Sequence, residues 1–398
     1  AARNLVEHGI DGLIVIGGDG SLTGASIFRN EWPDLIDELV KSKLIPAGSK
    51  KKYPNLLIVG LPGSIDNDMY GTDMTIGADT ALHRITEAID AITSTASSHQ
   101  RSFVVEVMGR NCGYLATMGA LAAGADWLFI PEVPPDPKTW QEEMCQALKA
   151  GREAGRRDSI VVVAEGALDK AGNPITSQQI KETLEDTLGE DTRITVLGHV
   201  QRGGSPTAFD RNLGTILGHA AVHNLQDIKP EDEPQLIGMR GNRVVSSPLM
   251  KCVDLTGEIA TLAAEREFDK VLDLRGSGFK STHEILQTMF QAGPKPASDQ
   301  PGYRIGVMHS GAPAPGMNTV LRVAVRWGSD QGHTMLGIYN GFPGLIKGDI
   351  KELTWMDVRG LVGLGGAEIG TNRTTPSEGD YYAIARTLEE HQIDGLLV

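Results

Sequence analysis

The chain of 398 residues contains few cysteines, few aromatic residues and no long apolar run. Its three cysteines, Cys112, Cys145 and Cys252, are widely spaced and form no CxxC pair, which indicates a reducing compartment rather than a disulfide framework. Apolar runs stay below the roughly 18 residues of a membrane span, and no signal peptide is visible. We therefore expect no membrane partner.

Basic residues are fewer than acidic ones. The chain has 37 Lys and Arg and 51 Asp and Glu, which gives a formal net charge of −14. Proteins that bind nucleic acid present a basic face, so this balance argues against a nucleic-acid partner. Any phosphorylated substrate would need a local group of arginines to overcome the overall repulsion. The length predicts two or more compact units.

Polar side chains follow apolar strands at five points along the chain. Apolar runs alternate with helical patterns, which predicts an α/β fold of doubly wound, mostly parallel sheets with helices on both faces. Open sheets of this kind bind ligands at the carboxyl ends of their strands. Because five strand ends carry polar groups, a functional site is favoured over isolated surface residues. In chain order these groups are Asp19, Ser64, Asp66, Asp68, Arg110, Glu165, His199 and Arg202.

The first of these points is the segment GGDGS at residues 17–21, between a predicted strand and a helix expected from about Thr23. Free backbone N–H groups at a helix start attract phosphate, and glycines let the phosphate approach. Asp19 suits a Mg²⁺ ion that bridges phosphates. A plain strand-to-helix turn remains an alternative, and several kinase families share a GGDG segment.

The second point is LPGSIDNDMY at residues 61–70, which follows a short apolar strand. Ser64, Asp66 and Asp68 stand at alternate positions, so an extended segment would turn all three toward one volume. Two neighbouring carboxylates need a cation or a proton donor between them. The alternative is that these residues only cap a turn.

An internal repeat predicts the domain organisation. Residues 2–15 and 385–398 are identical at ten of fourteen positions, at an offset of 383 residues. We predict a first half over 1–274, a Pro/Gly/Ser-containing linker with a preceding helix over 275–301, and the start of a second half over 302–398. The chain is expected to begin and end at the same point of two tandem copies. Residues 32–53, rich in lysine, are predicted to form a solvated surface insertion.

The motifs GGDGS, PGSIDND, VEVMGR, VAEG and TRITVLGHVQRGGSPTAFDR, in this order, closely resemble those of ATP-dependent 6-phosphofructokinases. The resemblance covers essentially the whole chain, and the repeat and the insertion resemble the eukaryotic, fungal form. It implies that MgATP phosphorylates fructose 6-phosphate at its 1-hydroxyl, the committed step of glycolysis. It also implies a cytoplasmic homo- or hetero-oligomer, a tetramer or larger, controlled through its second half.

The resemblance further implies a role for each matching residue. Asp66 matches the catalytic base, Asp19 the Mg²⁺ site, and Ser64 and Arg110 the surroundings of the transferred phosphoryl group. The ATP-phosphate loop matches Gly18, Asp19, Gly20 and Ser21. Substrate-binding positions match Ser64, Asp66, Asp68, Met108, Gly109, Arg110, Glu165, His199, Val200, Gln201 and Arg202, joined by Arg101 and Arg193 of a neighbouring subunit. Arg373 matches a contact to the activator fructose 2,6-bisphosphate.

Some features depart from the family pattern. The first strand and first ATP loop of the family have no counterpart in this sequence, so we expect this chain alone to be nearly inactive. The matching loop of the second half, SGAPAPGMN at residues 310–318, lacks the usual acidic residue. A pyrophosphate-dependent relative is less favoured because Gly20 and Gly63 replace its larger charged residues. A non-catalytic regulatory module is less favoured because Asp19, Asp66 and Arg110 are all present.

Overall fold

In the residues that the computed structural model describes, 1–99, 101–295 and 302–398, twelve strands form three four-stranded sheets. The strands, in chain order, are β1 (Gly12–Gly17), β2 (Leu57–Pro62), β3 (Ser102–Val107), β4 (Trp127–Phe129), β5 (Ser159–Ala164), β6 (Thr192–Val196), β7 (Gln235–Arg240), β8 (Arg243–Pro248), β9 (Arg304–Met308), β10 (Thr334–Ile338), β11 (Ile350–Glu352) and β12 (Gly395–Leu397).

Helices alternate with most of these strands. They are α1 (Ala2–Glu7), α2 (Asp19–Lys41), α3 (Ser49–Lys52), α4 (Ala78–His99), α5 (Tyr114–Ala123), α6 (Trp140–Glu153), α7 (Ser177–Leu188), α8 (Ala208–Asp227), α9 (Leu249–Ala264), α10 (Phe268–Arg275), α11 (Ser277–Phe290), α12 (Met317–Asp330), α13 (Phe342–Lys347) and α14 (Tyr381–Glu390). Short 3₁₀ turns add Gly198–Arg202, Leu361–Gly363 and Glu378–Asp380. None of the helices in the described part of the chain has the length and apolar character of a membrane-crossing segment.

The sheets are mostly parallel, as predicted. The first has the order β1-β2-β7-β8 and the second the order β4-β5-β3-β6, while the third has the order β11-β10-β9-β12. Only β8 and β11, among the described strands, run antiparallel to their neighbours. The carboxyl ends of β1 and β2 therefore lie at one edge of the first sheet, and those of β3, β5 and β6 at one edge of the second.

Helices cover both faces of the second sheet, because successive side chains of a strand point to opposite sides. Phe103, Val105 and Val107 of β3 pack into a cluster with α4, α5 and α11. Val104, between them, packs into a cluster with α6 and α7. The nearly continuous apolar strands of the sequence are thus buried on both faces, as parallel strands in α/β proteins are.

The solvated insertion predicted over residues 32–53 is only partly correct. Lys50, Lys51 and Lys52 are exposed. Trp32, however, is 0% exposed and its indole N–H donates to the carbonyl oxygen of Tyr53 at 3.0 Å. Both residues belong to the core cluster beside the first sheet, so this segment is anchored by its aromatic side chains.

The predicted linker over 275–301 contains a well-packed helix. Phe279, Leu286 and Phe290 of α11 belong to the same core cluster as α4 and α5. Residues 296–301 of the predicted linker lie outside the described residues.

Candidate active site

The glycine turn after β1 lies against the turn after β2. The two strands are parallel neighbours, and Gly17 pairs with Pro62. Beyond them, the backbone N–H of Gly63 donates to the carbonyl oxygen of Gly17 at 3.0 Å. A Cβ on Gly63 would lie 3.3 Å from the backbone nitrogen of Gly17. This close approach of two backbones explains why a glycine occupies position 63.

The glycine turn leads directly into α2, which begins at Asp19 rather than near Thr23 as predicted. Gly18 is the residue before the first turn, so Asp19 and Gly20 contribute the N–H groups of a helix start, while the N–H of Ser21 donates to the carbonyl oxygen of Gly18 at 3.0 Å. No atom would lie within 4 Å of a Cβ on Gly20, so the space beside this residue is open. The predicted arrangement for an anion, a glycine turn before a helix, is therefore present.

Residues 64–68 form a compact turn and not the extended segment that the alternating pattern suggested. The Ser64 hydroxyl accepts a hydrogen bond from the backbone N–H of Asp66 at 3.2 Å and donates to Asp68 Oδ1 at 3.1 Å. Asn67 adopts a left-handed conformation with φ of 50°. The turn-capping alternative is thus correct for Ser64, and the turn still leaves Ser64 and Asp66 in one cleft.

That cleft has a volume of about 430 Å³ and contains one acidic and two basic side chains among its lining residues. It is lined by Gly63, Ser64, Ile65, Asp66, Ile76, Arg110 and Arg202. Asp68 lines a neighbouring cleft instead, together with Arg275.

Asp66 is the buried acid of the cleft, with 4% of its surface exposed. Its Oδ1 atom is buried without a hydrogen-bond partner among the described residues. Burial raises the pKa of Asp66 to about 6, and the carboxylates of Asp68 and Glu165 add to the shift, while Arg202 and Arg110 oppose it. A carboxylate with such a pKa can accept a proton near neutral pH, which is what a general base requires.

Arg110 reaches the cleft from the turn that follows β3. Its backbone is left-handed, with φ of 52°, and its N–H donates to Glu165 Oε1 at 2.7 Å. Gly166 makes room for this turn, because a Cβ there would collide with the carbonyl oxygen of Arg110. Glu165, at the end of β5, therefore fixes the loop that carries Arg110.

The 3₁₀ turn Gly198–Arg202 brings Arg202 into the cleft. Gln201, which is buried, accepts from the backbone N–H of Met108 at 3.2 Å and donates to the carbonyl oxygen of Gly198 at 3.0 Å. Gln201 thus ties this turn to the end of β3. His199 and Val200 are exposed on the same turn.

Sequence reasoning missed the buried network that holds the start of α8 against the start of α4. Asp210 Oδ1 accepts from the backbone N–H of Gly77 at 2.8 Å, and Oδ2 accepts from that of Thr80 at 2.8 Å. The hydroxyl of Thr207 accepts from the backbone N–H of Asp210. A Thr-x-x-Asp capping pattern at residues 207–210 is the signal that would have located this helix start.

Arg101 and Arg193 lie at the opposite ends of β3 and β6 from the cleft, as predicted. Both form ion pairs with one carboxylate, that of Asp191, at 2.6 Å for Arg101 Nε and 2.5 Å for Arg193 Nη1. Each arginine remains partly exposed, with one-third or more of its side chain accessible. Two cations therefore share a single counter-charge on this surface.

Arg373 lies far along the chain, in the loop after residue 370. The loop backbone is held to the turn after β9, because Gly311 N–H donates to the carbonyl oxygen of Asn372 at 2.8 Å and Thr371 Oγ1 donates to that of Gly311 at 2.9 Å. Arg373 itself is exposed. Within the described residues its guanidinium has no ion-pair partner.

The glycine turn offers one carboxylate that could bind a metal ion, that of Asp19. Within the described ranges no group of three or more His, Cys, Asp and Glu residues is arranged to hold a metal. Mg²⁺ does not need such a group, because it keeps several waters and binds through one or two carboxylates plus substrate phosphates. The donor set at Asp19 is of this kind.

The sequence matches a known family model over most of its length. The model describes phosphofructokinase, and it matches residues 1–225 and 304–398. The chain belongs to the phosphofructokinase family. The matched range 1–225 contains all five motifs that carry the resemblance, at residues 17–21, 62–68, 105–110, 163–166 and 192–211.

The sequences of individual phosphofructokinases are similar to this chain over its whole length. The liver-type ATP-dependent 6-phosphofructokinase of Rattus norvegicus is 50% identical over 398 residues, which is 100% of this chain and 50% of the relative. The enzyme of Dictyostelium discoideum is 50% identical over 400 residues and is covered to 48%. The chain thus spans about half the length of the curated relatives it matches.

Two solved phosphofructokinases share the fold. That of Saccharomyces cerevisiae superimposes with a TM-score of 0.95 at 46% identity, covering 99% of this chain and 53% of the other. The T-state structure from Pichia pastoris superimposes with a TM-score of 0.92 at 44% identity, covering 99% and 41% respectively. The predicted phosphofructokinase-like α/β fold is therefore confirmed.

Proposed function

We propose that the chain supplies the catalytic site of an ATP-dependent 6-phosphofructokinase, which transfers the γ-phosphoryl group of MgATP to the 1-hydroxyl of fructose 6-phosphate. The observation that carries the proposal is the buried, unpartnered carboxylate oxygen of Asp66 in one cleft with Arg110 and Arg202. A proton acceptor beside two cations, next to a glycine turn at a helix start, has the parts that phosphoryl transfer to a phosphorylated alcohol requires.

In the proposed reaction Asp66 accepts the proton of the sugar 1-hydroxyl as that oxygen attacks the γ-phosphorus. The bond from this phosphorus to the bridging oxygen breaks, and ADP leaves with the electron pair. Arg110 offsets the negative charge on the transferred phosphoryl group, and the Ser64 hydroxyl lies beside that group. The raised pKa of Asp66 matches the base to a neutral medium.

At the glycine turn, the N–H groups of Gly18 and Gly20 would bind ATP phosphates, as helix starts bind anions. Ser21 would contribute its hydroxyl, because its N–H donates to the carbonyl oxygen of Gly18. Asp19 would hold Mg²⁺, whose charge neutralises that of the phosphates. The open space beside Gly20 and the tight backbone contact at Gly63 favour ATP over pyrophosphate as donor. A larger side chain at either position would fill the space of the nucleotide or separate the two turns.

The sugar phosphate would bind between the ends of the second sheet and the turn Gly198–Arg202. Arg202 would bind the 6-phosphate by charge, and a planar guanidinium can place two N–H groups on one phosphate. Gln201 acts here by holding the turn. The remaining proposed contacts come from Asp68, Met108, Gly109, Glu165, His199 and Val200.

The proposed enzyme is an oligomer, a tetramer or larger of like or unlike subunits, in which Arg101 and Arg193 serve the site of a neighbouring subunit. Their shared carboxylate leaves excess positive charge at that surface, which suits a sugar phosphate across an interface. We propose residues 1–274 as the catalytic half and 302–398 as part of a regulatory half. There the free, exposed Arg373 would bind fructose 2,6-bisphosphate. The cytoplasmic location and the fungal origin stay predictions.

The test is phosphorylation by the full-length protein, followed by ³¹P NMR with fructose 6-phosphate and either MgATP or Mg-pyrophosphate. The proposal expects fructose 1,6-bisphosphate with ATP and much slower formation with pyrophosphate. Product with pyrophosphate alone would identify the pyrophosphate-dependent relative. Absence of product with both donors, in a folded protein that binds the sugar phosphate, would identify a non-catalytic module.

A further inference from the structure

Arg275, at the end of α10, makes three polar contacts in the interior beside the proposed active site. Its Nε pairs with Glu132 Oε1 at 3.1 Å, in an ion pair whose side chains are 8% and 1% exposed respectively. Its Nη1 donates to the carbonyl oxygen of Asp68 at 3.3 Å and its Nη2 to that of Asn111 at 3.1 Å. All three partners come from segments distant in sequence.

The two carbonyl groups belong to the two loops that carry the proposed chemistry. Asp68 is two residues from Asp66, and Asn111 directly follows Arg110. Glu132 extends the same connection, because its carboxylate accepts the backbone N–H of Gly113 at 3.0 and 2.9 Å. One guanidinium therefore joins the loop after β2 of the first sheet to the loop after β3 of the second sheet.

Arg275 is itself held at a fixed place in the core. The helix that follows it, α11, packs through Phe279 and Leu286 against α4 and α5. At the other end of α11, the carbonyl oxygen of Phe290 accepts a hydrogen bond from Arg156 Nη2 at 3.2 Å. Arg275 directly precedes this anchored helix, with only Gly276 between them, so it can hold the two loops in a fixed relative position.

We propose that Arg275 is a positioning residue, which sets the distance between the carboxylate of Asp66 and the guanidinium of Arg110. This inference rests on the proposed phosphoryl transfer. Arg275 lines the neighbouring cleft, outside the one that holds Asp66. Its loss should therefore lower the rate of transfer more than the binding of either substrate, because small misplacements of reacting groups are costly.

The test variant in the full-length protein is Arg275→Lys, which keeps the charge opposite Glu132 but offers a single nitrogen for three acceptors. We expect kcat to fall about 10²-fold, with KM for both substrates within about threefold of the wild type. Amide hydrogen exchange should become faster in residues 64–70 and 109–113. The matched control is Arg29→Lys, because Arg29 Nη2 likewise donates to two backbone carbonyl groups, those of Pro230 at 3.3 Å and Asp232 at 2.6 Å, away from the cleft.

Glu132→Gln provides a second variant if Arg275→Lys folds poorly, because it keeps the side-chain shape and one oxygen that can accept the Gly113 N–H, and it removes the charge that pairs with Arg275. It should show the same pattern at smaller amplitude. A folded Arg275→Lys protein with kcat within about twofold of the wild type, or a loss equal to that of Arg29→Lys, would overturn the assignment. If the wild type lacks kinase activity, the proposed function fails, and unchanged hydrogen exchange in the two loops would separately refute the role of Arg275.

Discussion

Asp66→Asn should make the protein more stable at neutral pH while it removes the proposed base. Because folding raises the pKa of Asp66 from 3.8 to about 6, the folded state holds this proton more tightly than the unfolded state. The stabilising effect is fully present below pH 3.8 and is lost as the pH rises through about 6. At neutral pH the ionised, buried carboxylate is therefore a destabilising group.

The magnitude follows from the shift. A change of about two units, at about 1.4 kcal/mol for each unit, corresponds to about 3 kcal/mol. An amide in the same place still leaves a polar group without a partner, which costs about 1–2 kcal/mol. We therefore expect the Asn variant to gain about 1–2 kcal/mol in the free energy of unfolding at neutral pH.

The assay is ligand-free thermal unfolding of the wild type and Asp66→Asn, each at a series of pH values. Asp37→Asn is the matched control, because Asp37 forms an ion pair with Lys50 at 2.8 Å on the surface. The gain in Tm should be present at neutral pH, shrink as the pH falls through about 6, and be absent in the control. A lower Tm for Asp66→Asn at neutral pH would refute the reasoning that the buried charge is uncompensated.

Four further predictions concern activity in the full-length protein. The rate of product formation, measured against pH at saturating substrates, should fall as the pH drops through about 6; an unchanged rate below that value would exclude Asp66 as the base. Gly166→Ala should lower kcat because its Cβ displaces the carbonyl oxygen of Arg110, whereas Gly24→Ala, in open space within α2, should leave kcat unchanged; equal kcat values would show that the turn adapts. Mixed oligomers of Arg193→Ala and Asp66→Asn subunits should regain activity that neither has alone; no recovery would favour a surface role for Arg193. Arg373→Ala should weaken activation by fructose 2,6-bisphosphate and leave basal turnover nearly unchanged; lost basal turnover would contradict the effector assignment.

The strands and their polar ends could be predicted because parallel strands buried on both faces are nearly continuous apolar runs. The five strands that the sequence predicted before Asp19, Ser64, Arg110, Glu165 and His199 are present as β1, β2, β3, β5 and β6. Asp66 and Arg110 line one cleft, although their strands β2 and β3 belong to different sheets.

The parts that could not be predicted depend on contacts between distant segments. Trp32 looked like part of a polar insertion because only its bond to Tyr53 and its place in the core identify it as an anchor. Arg275 stands 207 residues from Asp68 in the sequence, and no local pattern relates the two. Residues 64–68 form a turn instead of the predicted extended segment because the Ser64 hydroxyl accepts a hydrogen bond from the backbone N–H of Asp66.

The most direct test of the central claim is the single-turnover rate of phosphoryl transfer in full-length wild-type and Asp66→Asn protein, with fructose 6-phosphate binding measured in the same samples. If Asp66 accepts the proton of the 1-hydroxyl, the variant should bind the sugar phosphate nearly as well and transfer the phosphoryl group about 10²–10⁴-fold more slowly. Asp37→Asn should match the wild type in both. Near-normal transfer by Asp66→Asn would contradict the account.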